Sequence, residues 1–149
     1  MIVLKRTNSE DPRFIELVKS LDAYLATMDG DEHAFYNQFN GIENLNDVVV
    51  AFYNGHHVGC GAIKEFQEDS MEIKRMYVDP IFRGKGIAKQ ILAELEKWAK
   101  ELGFLRCILE TGKRQVEAVA LYKRCGYSTI PNYEPYTAMD NSICFEKVI

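Results

Sequence analysis

The sequence predicts one mixed α/β domain, with a central sheet and helices on both of its faces. Three strand-like segments follow one another at Asp47–Tyr53, His57–Phe66 and Met71–Val78. An Asn-Gly pair separates the first two, which is typical of a two-residue hairpin, so these strands should form an antiparallel meander. A helical segment then separates Met71–Val78 from another strand, Arg106–Glu110, as in a parallel crossover. The alternation of strands and helices and the chain length favour a single domain, 1–149.

The N-terminal third predicts a short strand followed by two helices. Residues 2–7 have strand character. Asp11 and Pro12 mark a helix start, because aspartate can accept a hydrogen bond at the N-cap and proline suits the first helical position. Apolar residues then recur every three or four positions as far as Gly30, which indicates an amphipathic helix. We expect a second helix over Glu32–Asn40, whose aromatic residues either pack or form one wall of a substrate pocket.

The C-terminal half predicts two more helices and two more strands. The segment Ile87–Leu102 has one continuous apolar face and should be a long amphipathic helix that ends at Gly103. A further helix is expected over Gln115–Cys125. The last strands are expected at Tyr127–Ile130 and Ser142–Val148. The final strand is apolar, so it should lie within the sheet of a monomer or pair across a homodimer.

Composition and charge argue against several classes of protein. The chain is 47% hydrophobic and 27% charged, which is ordinary for a globular protein, and its net charge of -4 is unlike that of a nucleic-acid binder. It has no leader pattern and no apolar run near the ~20 residues that span a bilayer, so we expect a cytoplasmic protein without a membrane partner. Four widely separated cysteines and three histidines show no metal-ligand spacing, which indicates free thiols and no metal.

The turn Arg83–Ala88 (RGKGIA) predicts an anion-binding site. It joins a strand to the start of a long helix, where unpaired backbone N–H groups and the helix dipole attract phosphate and glycine lets a ligand approach closely. A dinucleotide-binding turn would need a third glycine, and a P-loop would need G-x-x-x-x-G-K-[ST]. Both patterns are absent. The alternatives are another kind of phosphate site or a turn that serves packing alone.

Two longer motifs identify a family resemblance. Val78–Ala88 (VDPIFRGKGIA) resembles the acetyl-CoA signature of the GNAT acyltransferase superfamily, whose core is [RQ]-x-x-G-x-[GA]. Ala118–Tyr127 (AVALYKRCGY) is similar to the second signature of that family, A-x-x-L-Y-x-x-x-G-[FY]. A helix and a strand separate the two, as in the family, and the resemblance covers residues 47–130. It implies the family fold, in which the sheet splays between the strands Met71–Val78 and Arg106–Glu110.

The resemblance implies acetyl-CoA as cosubstrate. The backbone of the turn Arg83–Ala88 would hold the pyrophosphate, and the main chain of Met76–Val78 would pair with the pantetheine arm like an added strand. Gln115 stands where the family often has asparagine, which bonds to the pantetheine or to the following turn. The longer side-chain amide of Gln115 could make the same hydrogen bonds. The implied cofactor-binding residues are Met76, Tyr77, Val78, Arg83, Gly84, Lys85, Gly86, Ile87, Ala88, Lys89 and Gln115.

The resemblance also implies two catalytic residues. Tyr122 matches the tyrosine near the thioester sulfur, where a phenol of ordinary pKa (~10) would donate a proton to the leaving thiolate. Otherwise it would be a half-buried core residue. Glu72 resembles the general base of the histone-type branch of the family, although it could instead form a salt bridge with Lys74 or Arg75. In a regular strand the side chains of Glu72 and Met76 lie on the same face of the sheet, whereas a bulge between them would place them on opposite faces.

The amine acceptor is the least determined part of this interpretation. We expect it to contact the first two helices, the loop 131–140 and the end of the strand Arg106–Glu110. Aromatic rings there could bind a cation or fill space, and the glutamate could line the pocket or cap the next turn. The candidate acceptor-binding residues are Tyr24, Phe35, Tyr36, Glu110, Tyr133 and Tyr136.

These features lead to one main hypothesis and two alternatives. The main hypothesis is an N-acetyltransferase that moves an acetyl group from acetyl-CoA to the primary amine of a small molecule, by direct transfer in a ternary complex. A CoA-binding regulatory or interaction module without activity is one alternative. The other is a transferase whose acceptor is a protein or peptide amine.

Overall fold

The computed structural model describes residues 1–149 and contains one seven-stranded mixed sheet. Strands from both ends of the chain belong to this sheet, and the bounds agree closely with the predicted ones. The strands are β1 (Ile2–Thr7), β2 (Asp47–Tyr53), β3 (His56–Gln67), β4 (Ser70–Val78), β5 (Arg106–Gly112), β6 (Ser128–Ile130) and β7 (Ser142–Val148).

Four α-helices accompany the sheet, and their ends follow local capping rules. The Asp11 side chain accepts the N–H of Arg13 (2.9 Å) at the start of the first helix. Gly103 and Gly126 follow the third and fourth helices with φ of +93° and +94°, a conformation that favours glycine. The helices are α1 (Pro12–Asp29), α2 (His33–Asn37), α3 (Ile87–Glu101) and α4 (Val116–Arg124).

The second helix is shorter than predicted. Residues Gly30–Glu32 form a 3₁₀ turn, and α2 covers His33–Asn37 rather than Glu32–Asn40. No side chain caps its N-terminus, and so short a helix is not stable by itself. Packing between its aromatic rings and Tyr136 holds the segment in place, with Tyr36 and Tyr136 stacked at a centroid distance of 6.2 Å.

The sheet splays where the family resemblance implied that it would. The strand order is β1-β2-β3-β4-β5-β7-β6. β4 and β5 are parallel but pair only between Ser70–Glu72 and Arg106–Ile108. β5 continues to Gly112 paired with β7 on its other side. The apolar last strand, β7, lies between β5 and β6. It therefore lies within the sheet, which is the first of the two predicted alternatives.

A bulge distorts β4 next to the splay. On β3 only Gly61 lies between the residues that pair with Tyr77 and Lys74, whereas β4 has both Arg75 and Met76 in that interval. Arg75 has a φ of +57°, which is unusual for a residue other than glycine. A Cβ at Gly61 would lie 2.6 Å from the sulfur of Met76, so a larger residue there would have to displace that side chain. Glycine at this position therefore lets the Met76 side chain of the bulge lie close to β3.

The bulge decides which way the charged residues of β4 point. Ile73 belongs to the core under α3, so its neighbours Glu72 and Lys74 point to the opposite face. Met76 lies against Gly61 and two α3 side chains, on the α3 face. Glu72 and Met76 thus lie on opposite faces, although an unbroken strand would place them together.

Helices cover both faces of the sheet, as the fold class predicted. Val49 of β2 lies in the core under α3, and Val48 and Val50 lie in a second core against α1. This explains the continuous apolar run in β2, since a strand covered on both faces has no polar side. Ile91 and Leu95 of α3 are fully buried, and each such burial contributes about 1.5–3 kcal/mol of hydrophobic stabilisation.

The structure also shows the state of the cysteines, the arrangement of possible metal ligands and the character of the helices. The four cysteines are free, and Cys60, Cys107 and Cys144 are buried. No three His, Cys, Asp or Glu side chains converge as they would around a metal ion. None of the helices combines the length and the apolar character needed to span a membrane.

Candidate active site

The splay opens a cleft of about 620 Å³ between β4 and α4. The end of β4, the turn that precedes α3 and one face of α4 form its walls. All the predicted cofactor-binding residues except Lys85 line it. The two sequence motifs therefore meet across a single cavity, one on each side. Its lining is mainly apolar, with cationic side chains near the glycine turn.

The glycine turn is open towards this cleft. Gly84 and Gly86 have φ of +80° and +78°, and no atom lies within 4 Å of the place where a Cβ would stand on either residue. α3 begins at Ile87, and the N–H of Gln90 bonds back to Gly86 O (3.2 Å). The N–H groups of the preceding helical residues have no partner within the helix. This arrangement fits a phosphate group.

The edge of β4 fits an extended chain. Towards β3 the strand is paired along its length, but towards β5 its pairing ends at Glu72. From Ile73 to Val78 the backbone groups on the β5 side therefore have no strand partner. An extended ligand placed there could pair with them as an added strand does. Arg83 Nε donates to Val78 O (2.9 Å), which ties the turn to the end of this strand.

Cationic side chains at the cleft differ from the predicted pair. Arg83, Lys89 and Arg124 line it. Lys85 does not, because its Nζ lies 5.3 Å from the ring centroid of Tyr53, away from the cleft. A side-chain contact from Lys85 to the cofactor therefore stays a prediction, whereas Arg124, at the end of α4, was not predicted.

Tyr122 lies where this cleft meets a smaller pocket, and its side chain contributes to the walls of both. It is 6% exposed, and its ring packs against Tyr127 and Phe145 at 5.8 and 6.0 Å. Burial raises the pKa of Tyr122, and the charge of Glu110 raises it further. The pKa of Tyr122 is therefore higher than the ordinary phenol value expected from the sequence. The hydroxyl stays neutral and is suited to donate a hydrogen bond rather than to release its proton.

The smaller pocket, called here the polar pocket, has a volume of about 100 Å³. It opens on the α1 face of the splay, and residues from α1, β4 and β5 surround it. Charged side chains of both signs are concentrated in its walls. Those charged residues are Glu72, Lys74, Arg75 and Glu110.

Glu72 lines the polar pocket and is already paired. Its carboxylate accepts a hydrogen bond from the hydroxyl of Tyr133 (2.8 Å), and Lys74 Nζ lies 3.7 Å away. The side chain is 12% exposed. Of the two predicted ion pairs, the one with Lys74 is present, whereas Arg75 pairs with Asp22 on α1 instead. Glu72 therefore faces the pocket and has a structural role at the same time.

Glu110 stands at the end of a chain of hydroxyl groups. Ser142 Oγ donates to its carboxylate (2.8 Å), and Tyr36 Oη lies 2.8 Å from the same serine oxygen. A serine has one hydroxyl hydrogen, which here goes to Glu110, so Tyr36 must donate to Ser142. The alternative in which Glu110 caps the next turn is wrong, because its carboxylate bonds to β7.

Burial also changes the acidity of Glu110. Desolvation is the main reason why the pKa of its carboxyl is raised to about 7. The hydrogen bond from Ser142 and the charge of Lys74 oppose this rise, while the charges of Asp29 and Glu72 support it. A carboxyl group with a pKa near neutrality can take up and release a proton at physiological pH.

The aromatic residues predicted to bind an acceptor lie in different places. Tyr136 lines the polar pocket. Tyr133 and Tyr36 reach its two carboxylates by hydrogen bonds, the second of them through Ser142. Asn132 donates to backbone carbonyls of its own loop, including that of Tyr136, and so fixes the loop that carries these rings.

Two of the predicted acceptor residues lie outside the polar pocket. Phe35 packs edge-on against Tyr36, with 5.5 Å between the ring centroids, and lines neither cavity. Adjacent residues of a helix point about 100° apart, so Phe35 points in a different direction from Tyr36. Tyr24 lies in the larger cleft, with its ring centroid 5.5 Å from the Arg83 guanidinium carbon. The role of these two residues in binding an acceptor stays a prediction.

Comparison with known proteins identifies the family. The model of the Acetyltransferase (GNAT) family matches residues 14–127. The chain belongs to this family. An IAA acetyltransferase from Azospirillum brasilense is 31% identical over 151 aligned positions, which cover 98% of this chain and 97% of the relative.

Solved GNAT structures agree with this assignment. A candidate acyl-CoA N-acyltransferase from Klebsiella pneumoniae superposes with a TM-score of 0.83 at 33% identity, covering 99% of this chain and 97% of that one. A GNAT acetyltransferase from Elizabethkingia anophelis with acetyl-CoA bound has a TM-score of 0.70 at 17% identity, covering 99% and 98%. The protein is thus an N-acetyltransferase with the GNAT fold, as the two motifs implied.

Several residues of this GNAT site were missed in the sequence. Ser142 links β7 to Glu110, but a serine at the start of a strand gives no signal of its own. Lys74 and Arg75 were considered only as partners of Glu72, since an unbroken strand would point them to opposite faces. Gly61 of β3 was the only signal in the sequence for the bulge in β4. That bulge brings Lys74 and Arg75 to the polar pocket.

Proposed function

We propose that this GNAT protein uses acetyl-CoA as its cosubstrate. The open glycine turn fits the pyrophosphate, and the unpaired edge of β4 fits the pantetheine arm. Arg83, Lys89 and Arg124 line the same cleft and supply positive charge for phosphate groups. Solved relatives with the same fold hold acetyl-CoA, which supports this cosubstrate.

We further propose that the acceptor is the primary amine of a small molecule. The polar pocket joins the cleft at Tyr122, so an amine bound there would reach the thioester directly. Its volume of about 100 Å³ has room for roughly three water molecules at about 30 Å³ each. That size favours an acceptor group with few atoms.

In the proposed reaction Glu110 is the general base. An amine is mainly protonated at neutral pH, and the ionised Glu110 carboxylate takes one proton from it. The free amine then attacks the thioester carbon, and the C–S bond breaks as the tetrahedral intermediate collapses. Tyr122 donates a hydrogen bond to the departing sulfur, which leaves as the CoA thiol after taking up a proton released by the nitrogen. Glu72, held by the hydroxyl of Tyr133, lies on the β4 wall of the same pocket.

The observation that carries this proposal is the junction between the two cavities. Tyr122 and Glu110 both line the polar pocket, Tyr122 also lines the cleft, and the charge of Glu110 raises the pKa of Tyr122. A hydrogen-bond donor for the leaving group and a base for the amine are thus present together. Both substrates have room at the same time, which favours direct transfer in a ternary complex.

A thiol-release assay over a panel of amines tests the proposal. The panel holds amino acids, polyamines, aminoglycosides, peptides and IAA, which is included because the Azospirillum relative is named for it. We expect acetyl-CoA-dependent thiol release with one group of small amines, and initial-rate plots that intersect. Parallel plots would contradict the ternary complex. Acetyl-CoA binding without release for any acceptor would instead indicate a CoA-binding module without activity.

A further inference from the structure

The polar pocket contains cations as well as the carboxylates that a simple amine would need. Glu72 and Glu110 can receive an ammonium group. Lys74 and Arg75 line the same small pocket, and a cation in an amine-binding pocket repels the substrate unless it has another partner. Asp22 pairs with Arg75, whereas Lys74 has only the 3.7 Å contact with Glu72, so the charge of Lys74 in particular needs an explanation beyond amine recognition.

Lys74 keeps free hydrogen-bonding capacity. Its side chain is only 13% exposed. Its Nζ donates to the carbonyl of Phe39 at 3.2 Å. Its nearest carboxylate oxygen, on Glu72, is 3.7 Å away, which is too long for a hydrogen bond. An ammonium group has three donors, so two are available to a ligand in the pocket.

Arg75 supplies a second cation on the same side. The bulge turns its side chain towards α1, where it pairs with Asp22, and the side chain is 2% exposed. Its Nε is buried without a hydrogen-bond partner in the chain, a costly arrangement for a donor. Two consecutive residues of a regular strand would point to opposite faces. The bulge brings the charges of Lys74 and Arg75 to one pocket.

Glu72 lies on β4 with the two cations, but the carboxylate that has no ion-pair partner, Glu110, lies across the splay from them. Lys74 and Arg75 belong to β4, whereas Glu110 belongs to β5, beside Tyr122. A molecule that bridges the splay would meet a carboxylate and the leaving-group donor at one end and two cations at the other. Its reacting end must lie near Tyr122, because that is where the cleft begins.

We propose that the acceptor carries a carboxylate as well as an amine, and is a small amino acid. Its amine lies towards Glu110 and Tyr122, and its carboxylate is bound by Lys74, with Arg75 next to it. This inference rests on the proposed acetyl transfer to a small amine and names the class of that acceptor. The small volume of the pocket, about 100 Å³, restricts the acceptor to the smaller amino acids.

The experiment compares acceptors that differ only in the carboxylate. Alanine is compared with alaninamide and ethylamine, and β-alanine with β-alaninamide, by thiol release with saturating acetyl-CoA. Rates are measured over a range of pH so that each kcat/KM refers to the unprotonated amine. We expect at least one amino acid to exceed its amide by tenfold or more, or about 1.4 kcal/mol, because the amide lacks the charge that Lys74 would bind.

Variants of Lys74 test whether the preference for an amino acid over its amide arises in the polar pocket. Lys74→Met keeps the length of the side chain and removes its charge, so the ratio of acid to amide should fall towards one. Lys74→Arg keeps the charge and should retain a preference for the acid. Lys97→Met is the matched control, because Lys97 is exposed on α3 at the other face of the sheet, and its ratio should equal that of the wild type.

The possible outcomes separate this inference from the proposed function. Transfer to amides and plain amines as efficiently as to amino acids would overturn the inference and leave the transferase function intact. An unchanged ratio in Lys74→Met would also overturn it. If Lys74→Met does not fold, the comparison of substrates on the wild-type protein still decides. Absence of thiol release with every acceptor would overturn both.

Discussion

The cleft and the polar pocket share Tyr122 but are built in different ways. The cleft is formed mostly by two short stretches of sequence, the turn before α3 and the helix α4, and much of it presents backbone to the ligand. The polar pocket is formed by side chains from α1, β4, β5 and the loop 131–141. A site that binds a ligand through backbone groups depends on local conformation. A site that binds through charged side chains depends on which distant residues the fold brings together.

The largest effect is expected for the residue that both cavities share. Tyr122→Phe removes the hydroxyl that donates to the sulfur, so kcat should fall by about 100- to 1,000-fold. The KM for acetyl-CoA should change little, since the ring and its packing remain. Steady-state kinetics with both substrates measure this. An unchanged kcat would remove the hydroxyl from the mechanism.

Glu110→Gln should affect only the polar pocket. In the wild type, kcat/KM for the acceptor should rise with pH through the pKa of about 7 of the Glu110 carboxyl, because the ionised form is the base. In the variant this limb should vanish, and the rate at pH 8 should fall by about 100-fold. Glu72→Gln is the comparison, and its profile should keep the limb. If the limb instead disappears in Glu72→Gln, the base is Glu72.

The same carboxyl should make stability depend on pH. Its pKa is raised from 4.5 to about 7, so between these values the folded state holds more protons than the unfolded state. The free energy of unfolding should therefore fall as the pH rises from about 4.5 to 7, by up to roughly 3 kcal/mol. Urea unfolding at pH 5 and pH 8 measures the change. Glu110→Gln should show a smaller fall, and an equal fall would mean that other groups cause it.

A substitution in the glycine turn should affect only the cleft. Gly86→Ala forces a residue with a Cβ into a φ of +78°, which costs about 1–2 kcal/mol, and places that Cβ where phosphate would bind. The Kd for acetyl-CoA should rise by about tenfold, or about 1.4 kcal/mol. Gly55→Ala introduces the same backbone strain (φ +88°) in the β2–β3 turn, outside the cleft. It should lower stability similarly and leave the Kd unchanged.

The smallest effect on acetyl-CoA affinity should distinguish two lysines at the start of α3 and in the turn before it. Lys89 lines the cleft, whereas Lys85 lies over Tyr53. Lys89→Ala should raise the Kd for acetyl-CoA several-fold, and more at low ionic strength, because partly exposed charges are screened by salt. Lys85→Ala should leave it unchanged. Equal effects of the two variants, measured by titration calorimetry, would contradict the difference in their positions.

Local rules were sufficient for most of the fold and for the cleft. Hydrophobic periodicity, the Asp11 cap and glycines with positive φ act over a few residues, so the elements and the anion-binding turn could be predicted. The helix α2 was the exception among the elements, because contacts with the loop 131–141 hold it, and its own sequence does not fix its length. The family resemblance depended on the same short motifs.

The sequence by itself determined the order of the elements, the glycine turn before α3 and the family of this protein. Only the tertiary structure decided the character of the polar pocket. Tyr133 and Glu72 are 61 positions apart, and Tyr36 and Ser142 are 106 apart. Burial, which raises the pKa of Glu110, and the bulge that turns Lys74 and Arg75 to one side depend on such distant contacts. Electrostatic interactions act through space, so a pattern along the chain does not reveal them.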